Sequence, residues 1–367
     1  MVSLLLTGGG GFLGSRVLKT IFDKCEPSEL CRVRLLDLSY PAERKFDSNF
    51  SPIVVERVVG DVTDRETVQR AVKGMQVVIH CASQLPNHTS ATEAEEWSRY
   101  GTVNVDGTRN VVECCTEEES VRCLIYSSSA AAVTTRKDAF DMEETDDCYP
   151  RESDLNEGIY GITKQRAEKI VLRSNSDRLT TIALRFTTVY GEGDSRMIRV
   201  IESSTLFGRF MMRISNVHNV LQFTYVGNVA WAHLCAMRAL LRGGDTSGGK
   251  GFFITDDTPP LSVEFFEPII TRLGYQYLPF GIPLRVVIFL AVLVEFFVWI
   301  LSPLVSLRTS PSFKRSMIDT GFVNSHTFCR KRAETLLQYQ PLFSYEESKE
   351  RTLASIERTL NYGFLSQ

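Results

Sequence analysis

The chain predicts an α/β fold, a doubly wound parallel sheet followed by a smaller C-terminal lobe that carries an unusually apolar helix. Three observations predict it. Val2-Ser3-Leu4-Leu5-Leu6 is a short apolar run of the kind a buried parallel strand needs, and it leads straight into Thr7-Gly8-Gly9-Gly10-Gly11-Phe12-Leu13-Gly14. Strand-like and helix-like segments then alternate through the first half of the chain, the pattern of βαβ units. Tyr160 and Lys164 stand four residues apart on one of those helices, downstream of a strand that ends Leu124-Ile125-Tyr126-Ser127-Ser128-Ser129.

Strand, glycine turn and helix form the context in which such a loop holds a dinucleotide. The glycines let backbone approach a pyrophosphate, and the N terminus of the helix over 15–22 faces its charge. Two registers fit: Gly9, Gly11 and Gly14 give G-x-G-x-x-G, and Gly8, Gly11 and Gly14 give the wider G-x-x-G-x-x-G. No Lys-Ser or Lys-Thr follows the last glycine, which argues against a nucleoside triphosphate loop. The second strand, Arg32-Val33-Arg34-Leu35-Leu36-Asp37-Leu38, places Asp37 where a carboxylate would take the adenosine ribose hydroxyls. A carboxylate there repels a 2′-phosphate, and no Arg or Lys follows immediately, so the pattern favours NAD over NADP. The other reading of Asp37 is a strand-end residue capping a turn.

Residues 52–58 form a third strand, and Gly60-Asp61-Val62 follows it at the level of an adenine edge. Thr63 or Asp64 caps the helix that runs through Lys73. A fourth strand over 76–81 delivers Cys81 and Ala82, and 95–115 reads as one long helix carrying Asn104-Val105-Asp106-Gly107-Thr108. The fifth strand spans 121–128, an acidic exposed loop 136–157, the Tyr160 helix 159–173 and a sixth strand 180–186. Ligands of open parallel sheets lie beyond the carboxyl ends of the strands, where the glycine loop, Asp37, Cys81, Ala82 and Ser129 all fall.

Tyr160 and Lys164 share a helical face, so the ammonium can stabilise a phenolate and lower a tyrosine pKa from its ordinary value of about 10. A serine from the neighbouring strand end can hold a substrate oxygen. Such a set can take a proton from an alcohol while a cofactor accepts hydride. The spacing alone is weak evidence, because Tyr345 and Lys349 repeat it within Tyr345-Glu346-Glu347-Ser348-Lys349-Glu350. With no strand, serine or glycine loop before it, that second pair reads as a solvated helix face.

The chain resembles the extended short-chain dehydrogenases and, within them, the 3-beta-hydroxysteroid dehydrogenase/isomerase family. The glycine loop, Asn104 to Thr108, Ile125 to Ser129, Tyr160 to Lys164, and Leu184-Arg185-Phe186-Thr187-Thr188-Val189-Tyr190-Gly191-Glu192-Gly193 carry the likeness. So do Tyr225-Val226-Gly227-Asn228-Val229-Ala230-Trp231-Ala232-His233 and Thr255-Asp256-Asp257-Thr258-Pro259. Phe186 departs from the proline usual after the arginine. The resemblance implies a Rossmann-type fold, with Tyr160 as general base, Lys164 as the group that lowers its pKa and binds the nicotinamide ribose, and Ser129 as the residue that aligns the carbinol oxygen. It implies NAD held by Gly8, Gly9, Gly11, Phe12, Leu13, Gly14, Asp37, Asp61, Val62, Cys81, Ala82, Tyr160, Lys164 and Val189. The implied reaction is oxidation of a 3β-hydroxyl on a steroid or sterol, with isomerisation of a 5-ene to a 4-ene as an option. Alternatives are a decarboxylating sterol-4-carboxylate 3-dehydrogenase, a sugar-nucleotide epimerase or reductase of the same superfamily, and a non-catalytic NAD sensor.

Length and composition agree. The 367 residues are 43% hydrophobic and 23% charged, with a net charge of −3, enough for a large core and without the basic excess of a nucleic-acid binder. The nine cysteines include no C-x-x-C pair and the five histidines are scattered, so no metal is expected and the thiols read as reduced and mostly buried. His80, on an apolar strand, reads as core. The expected organisation is a cofactor domain over 1–190 and a substrate lobe over 191–367, with an apolar membrane segment at 284–304. Between Pro283 and Pro303 only Arg285, Glu295 and Ser302 are polar. A helix there is about 26 Å long, marginal for a hydrocarbon core of about 30 Å. It can span a membrane, lie in the membrane surface or be buried in the lobe, and Glu295 is costly in lipid unless it faces protein or the interface. The resemblance favours membrane lipid as a partner. The N terminus lacks the basic region of a secretory signal, so the expected location is the endoplasmic reticulum, or alternatively mitochondria, with the catalytic part facing the cytosol. A homodimer is open.

Overall fold

The structure is a computed structural model that describes residues 2–26, 28–40, 53–86, 93–146, 149–203, 205–207, 210–243, 247–261, 263–301 and 318–364. Its centre is a seven-stranded parallel sheet of β1 (Val2–Thr7), β2 (Leu30–Asp37), β3 (Val54–Val59), β4 (Val77–His80) and β5 (Cys123–Ser127), joined by β7 (Thr180–Phe186) and β12 (Lys250–Ile254). The spatial order is β12-β7-β5-β4-β1-β2-β3. The order reverses between β1 and β4, which is the switch point where such sheets bind ligands. Because both faces are covered, the strands are apolar on both: Leu4 and Leu6 pack one way with Val33, Leu35, Ile125 and Leu184, while Leu5 packs the other way with Leu36, Val78, Leu124 and Ala183.

The first face is covered by α1 (Phe12–Lys24) and α7 (Val226–Arg242), the second by α2 (Arg65–Val72), α4 (Thr108–Glu117) and α5 (Gly158–Arg173). Asp64, rather than Thr63, caps α2, accepting from the Glu66 amide at 3.1 Å. The single helix expected over 95–115 is instead α3 (Glu93–Gly101), a π-helical turn Thr102–Gly107, and α4. The expected exposed loop 136–157 contains β6 (Ala139–Met142), which pairs with β14 (His326–Phe328) from the far end of the chain; residues 147–148 lie outside the described ones. The strand β12 also comes from beyond residue 190, so the two expected segments interleave in the central sheet.

The rest of the lobe is built on β8 (Thr188–Tyr190) paired with β11 (Phe223–Tyr225), and on β9 (Thr205–Phe207), β10 (Phe210–Ser215) and β13 (Gln276–Pro283). Around these lie α6 (Ser195–Ser203), α8 (Glu267–Arg272) and the last helix, α11 (Tyr345–Phe364), while α10 (Lys331–Leu337) packs on α7 and β12 of the central sheet. Tyr345 and Lys349, expected on a solvated face, are half-buried and line a small recess with Tyr190 and Phe265, because α11 packs on α8 through Thr352 and Ile356.

The apolar segment forms α9 (Leu284–Leu301). Val287 and Ala291, four apart, are buried against Ile318 and Phe322, while Phe289 and Phe297 remain 61% and 56% exposed, with Val286, Leu290, Val292 and Ile300 also open. Among the described residues no helix is long and apolar enough to cross a membrane. Eighteen residues at 1.5 Å per residue reach only about 27 Å. The spanning reading therefore finds no helix to meet it; residues 302–304 of the expected segment and the Glu295 side chain lie outside those described.

Candidate active site

The glycine loop turns because its glycines have no side chains. Gly8 has φ +71°, and a Cβ on it would stand 2.7 Å from the Ala82 nitrogen; a Cβ on Gly14 would stand 2.1 Å from the Gly8 oxygen. The wider G-x-x-G-x-x-G register is thus the sterically demanding one, while a Cβ on Gly9 would meet the Leu35 side chain at 3.0 Å and no backbone. The sequence reading passed over Gly10, whose missing side chain leaves room for the Ser39 carbonyl and whose amide donates to Asp37 Oδ2 at 2.8 Å. Gly11 starts α1 with no side-chain cap, which leaves backbone N–H groups at the loop for an anion. Phe12 and Leu13 turn toward the lobe and pack against its aromatic cluster.

Asp37 ends β2, and its second oxygen accepts from the Leu38 amide at 2.7 Å. Asp61 holds the Thr63 amide at 2.9 Å, and Val62 is buried against Gly107, where any larger residue would collide with it. Cys81 and Ala82 follow β4 directly beside Gly8. Val189 lies in β8, half-buried beside the lobe cluster.

Tyr160 and Lys164 sit in the first two turns of α5, both buried. The Lys164 ammonium donates to the Ser127 carbonyl at 2.7 Å and lies 4.6 Å from the centre of the Tyr126 ring. Burial pulls its pKa down to about 7 against the opposing charge of Glu168. Burial raises the Tyr160 phenol, Glu157 adds to that, and Arg196 and a hydrogen bond with Ser129 act against it. This differs from the expected lowering by Lys164, because the ammonium is engaged by the strand end instead. Ser129 itself stands half-buried at the turn after β5, accepting from the Ala131 amide at 3.2 Å.

The end of β5 and the turn after it send the three serines to different tasks. Ser127 faces α7: His233 Nδ1 donates to Val229 O at 2.8 Å, so its bare Nε2 accepts the Ser127 hydroxyl at 2.8 Å, and Ser127 in turn accepts from the Cys81 thiol at 3.0 Å. Burial keeps this histidine neutral, with a pKa of about 4, and pushes the thiol up to about 12. Ser128 faces α5 and donates to Glu168, which also receives Arg185 and Tyr149. His80 is core, as expected, held between Thr7 and Thr108 at 2.7 and 3.0 Å.

Asn104 is spent on structure. Its carboxamide accepts from Ser83 Oγ and the Gln84 amide and donates to Gln84 O and Thr163 Oγ1, tying the loop after β4 to the Tyr160 helix. The π-turn that displaces it sits at a functional cleft, as such turns often do. Glu157, Glu168 and Arg196 were not singled out in the sequence; helical spacing about Tyr160 and Lys164 hints at the first two, and nothing hints at Arg196.

These elements form a Rossmann-type α/β fold with Tyr160, Lys164 and Ser129 at one end of its sheet, and solved structures share that fold. UDP-glucuronic acid 4-epimerase from Bacillus cereus, solved with UDP-glucuronic acid and NAD, superposes with a TM-score of 0.68 at 17% identity, covering 97% of this chain and 99% of that one. UDP-glucose 4-epimerase from Thermotoga maritima, solved with UDP-glucose, gives 0.65 at 20% identity over 98% and 99%. In sequence, the 3-beta hydroxysteroid dehydrogenase/isomerase family matches residues 5–282. The chain is 31% identical to human 3 beta-hydroxysteroid dehydrogenase type 7, over 96% of this chain and 95% of the human protein. It is 30% identical to the decarboxylating sterol-4-alpha-carboxylate 3-dehydrogenase of Schizosaccharomyces pombe, over 95% and 96%. The protein belongs to the 3-beta hydroxysteroid dehydrogenase/isomerase family of oxidoreductases.

Proposed function

We propose that this protein oxidises a 3β-hydroxyl of a steroid or sterol to the 3-oxo compound with NAD. The observation that carries the reading is the convergence of Tyr160, Lys164 and Ser129 beside the glycine loop at the carboxyl ends of β1, β4 and β5. The site fits a dinucleotide: Gly8 and Gly14 leave backbone contacts that no side chain could share, the N terminus of α1 is free of a side-chain cap, and Asp37 closes the ribose end. Asp37 supports NAD over NADP by charge. NAD, when bound, supplies the hydride acceptor; the chain supplies the rest.

Ser129 hydrogen-bonds the carbinol oxygen. Tyr160 takes its proton, and Lys164, held at the strand end one turn along the same helix, meets the nicotinamide ribose. The central sheet, including β12, with α7 and the other helices on its faces forms the cofactor half, and the aromatic cluster around Phe223, Tyr225 and Phe265 belongs to the substrate lobe. The open apolar faces of α9 support docking on a membrane surface, from which a lipid-dissolved substrate would be taken; the cytosolic face of the endoplasmic reticulum is the proposed place.

The yeast relative supports a second reading, oxidation of a 4-carboxysterol whose 3-oxo product loses carbon dioxide. Membranes from cells expressing the protein, given NAD and a panel of 3β-hydroxy-5-ene steroids and a 4-carboxysterol, separate the two by mass spectrometry. A product that Tyr160→Phe abolishes is expected. No turnover of any 3β-hydroxyl alongside measurable NAD binding would overturn the proposal and favour a sugar-nucleotide substrate.

A further inference from the structure

Tyr126 is the fourth residue of β5, and its side chain is buried on the face of the sheet that α5 covers. The Lys164 Nζ stands 4.6 Å from the centre of its ring, inside the distance at which an aromatic face attracts a cation. The same buried ammonium donates to the Ser127 carbonyl at 2.7 Å. Among the described residues no carboxylate pairs with it, since Glu168, one turn on, is taken by Arg185, Ser128 and Tyr149. Besides Glu168 and Tyr160 on its own helix, the titratable groups that face it are Cys81 and His80 at the end of β4. Burial keeps both of these neutral, so neither supplies a counter-charge. The Tyr126 hydroxyl takes no part. It finds no hydrogen-bond partner among the described residues, and Thr108, which lies close by, is committed to the Asn104 carbonyl and to His80 at 2.6 and 3.0 Å. The His80 ring, 5.6 Å away, packs against the Tyr126 ring. A tyrosine whose hydroxyl holds nothing, beside a buried cation that has no anion, contributes its ring.

We propose that Tyr126 is a positioning residue of the dehydrogenase, whose ring face holds the Lys164 ammonium beside the strand end. The inference rests on the NAD-dependent reading above. An ammonium has three N–H groups. One goes to the Ser127 carbonyl, the second meets the negative face of the ring, and the third is left for the nicotinamide ribose. A neutral amine has only two, so one of these partners is lost with the proton. Attraction by the ring acts on the charged form alone, and it is strongest where water is excluded, as at this buried pair. Burial pulls Lys164 down to about 7, so what surrounds it decides its charge at neutral pH. Without the ring face the ammonium gives up its proton at a lower pH and drops a contact.

The test uses the full-length protein with Tyr126→Phe, with Tyr126→Leu, and with trifluorophenylalanine in place of Tyr126. The fluorinated ring fills nearly the space of phenylalanine while its fluorines draw charge from the face, so it removes the attraction without emptying the core. NADH formation from a 3β-hydroxysteroid is followed against pH. Tyr126→Phe should match the wild type, because the hydroxyl is unused. A drop of about 1 pH unit in Lys164 puts the trifluoro variant about 5-fold below Tyr126→Phe at pH 7, widening to about 10-fold above pH 8 and closing near pH 5. Tyr126→Leu should lose at least as much. A trifluoro variant equal to Tyr126→Phe at every pH, or a loss that does not change with pH, would overturn the proposal. So would a Tyr126→Phe as impaired as Tyr126→Leu. Chemical unfolding needs no steroid and judges Tyr126 even if no 3β-hydroxyl is oxidised, a failure that sinks only the dehydrogenase reading. Lys164 is charged in both folded ring variants in acid and neutral in both at alkaline pH. The stability gap between Tyr126→Phe and the trifluoro variant should therefore be widest in acid and close as pH rises through about 7. In a Lys164→Met background it should be flat, and a flat gap with Lys164 present would overturn the proposal.

Discussion

Replacing Glu168 by Gln should cost the fold about 3–5 kcal/mol, the penalty for leaving a buried partner ion without its counter-charge. The carboxylate is fully buried and Arg185 is 5% exposed, so water screens little of their attraction. Arg185 donates from Nη2 at 2.6 Å and from Nε at 3.0 Å, and Ser128 and Tyr149 donate at 2.5 and 2.7 Å. All four bonds run into acceptor oxygens. An amide puts an N–H donor where one of them was, facing donors. The guanidinium has nowhere else to go, since it fills the space that a side chain on Gly251 would need.

The same substitution reaches the cleft. Glu168 lies one turn beyond Lys164 and is the largest influence holding its proton against burial, so its loss should drop Lys164 further below about 7. Chemical unfolding of Glu168→Gln, Arg185→Met and the double variant Glu168→Leu with Arg185→Met would measure the ledger. Removing both ions should recover most of the single-variant loss, because hydrophobic replacement of a buried pair is often neutral. The carboxyl is held below its ordinary 4.5 in the fold, so its contribution is complete above that pH and lost as pH falls through its folded value; the single-variant penalty should shrink in acid. A Glu168→Gln loss below about 1 kcal/mol, or a double variant no better than the single ones, would refute the argument.

Gly8→Ala should abolish cofactor binding and lower stability, since it strains a φ of +71° and drives a methyl into the Ala82 backbone; isothermal titration with NAD and a melting curve would read both effects. Stability should fall as pH drops below 6.5, because burial lowers His80 to about 3 and His233 to about 4, so the unfolded chain binds more protons in that window. The slope should be about 1.4 kcal/mol per pH unit for each histidine, and unfolding midpoints of His80→Gln should show a shallower one. Phe289→Ser with Phe297→Ser should release the protein from phospholipid vesicles in a flotation assay without lowering its melting temperature, since both rings are exposed.

The strands were readable because a parallel sheet covered on both faces turns each one into a short apolar run, and the glycine loop because three of its positions tolerate no side chain. The seventh strand was not singled out; its Gly251 leaves the space that the Arg185 guanidinium occupies. Ser127, Ser128 and Ser129 are indistinguishable by type; the end of β5 and the turn after it decide that the first meets His233, the second Glu168, and the third the phenol. Glu157 and Arg196 come from different elements, so no spacing could pair them. The helix α9 shows the same limit in reverse. Its sequence is apolar all round and offers no face to choose. Ile318 and Phe322, brought back by later chain, make Val287 and Ala291 the covered side and leave Phe289, Leu290, Phe296 and Phe297 facing outward. Exposure of that surface to water costs about 25 cal/mol for every Å². Among the described residues Phe289 and Phe297 stay open, and the vesicle flotation above asks whether lipid covers them.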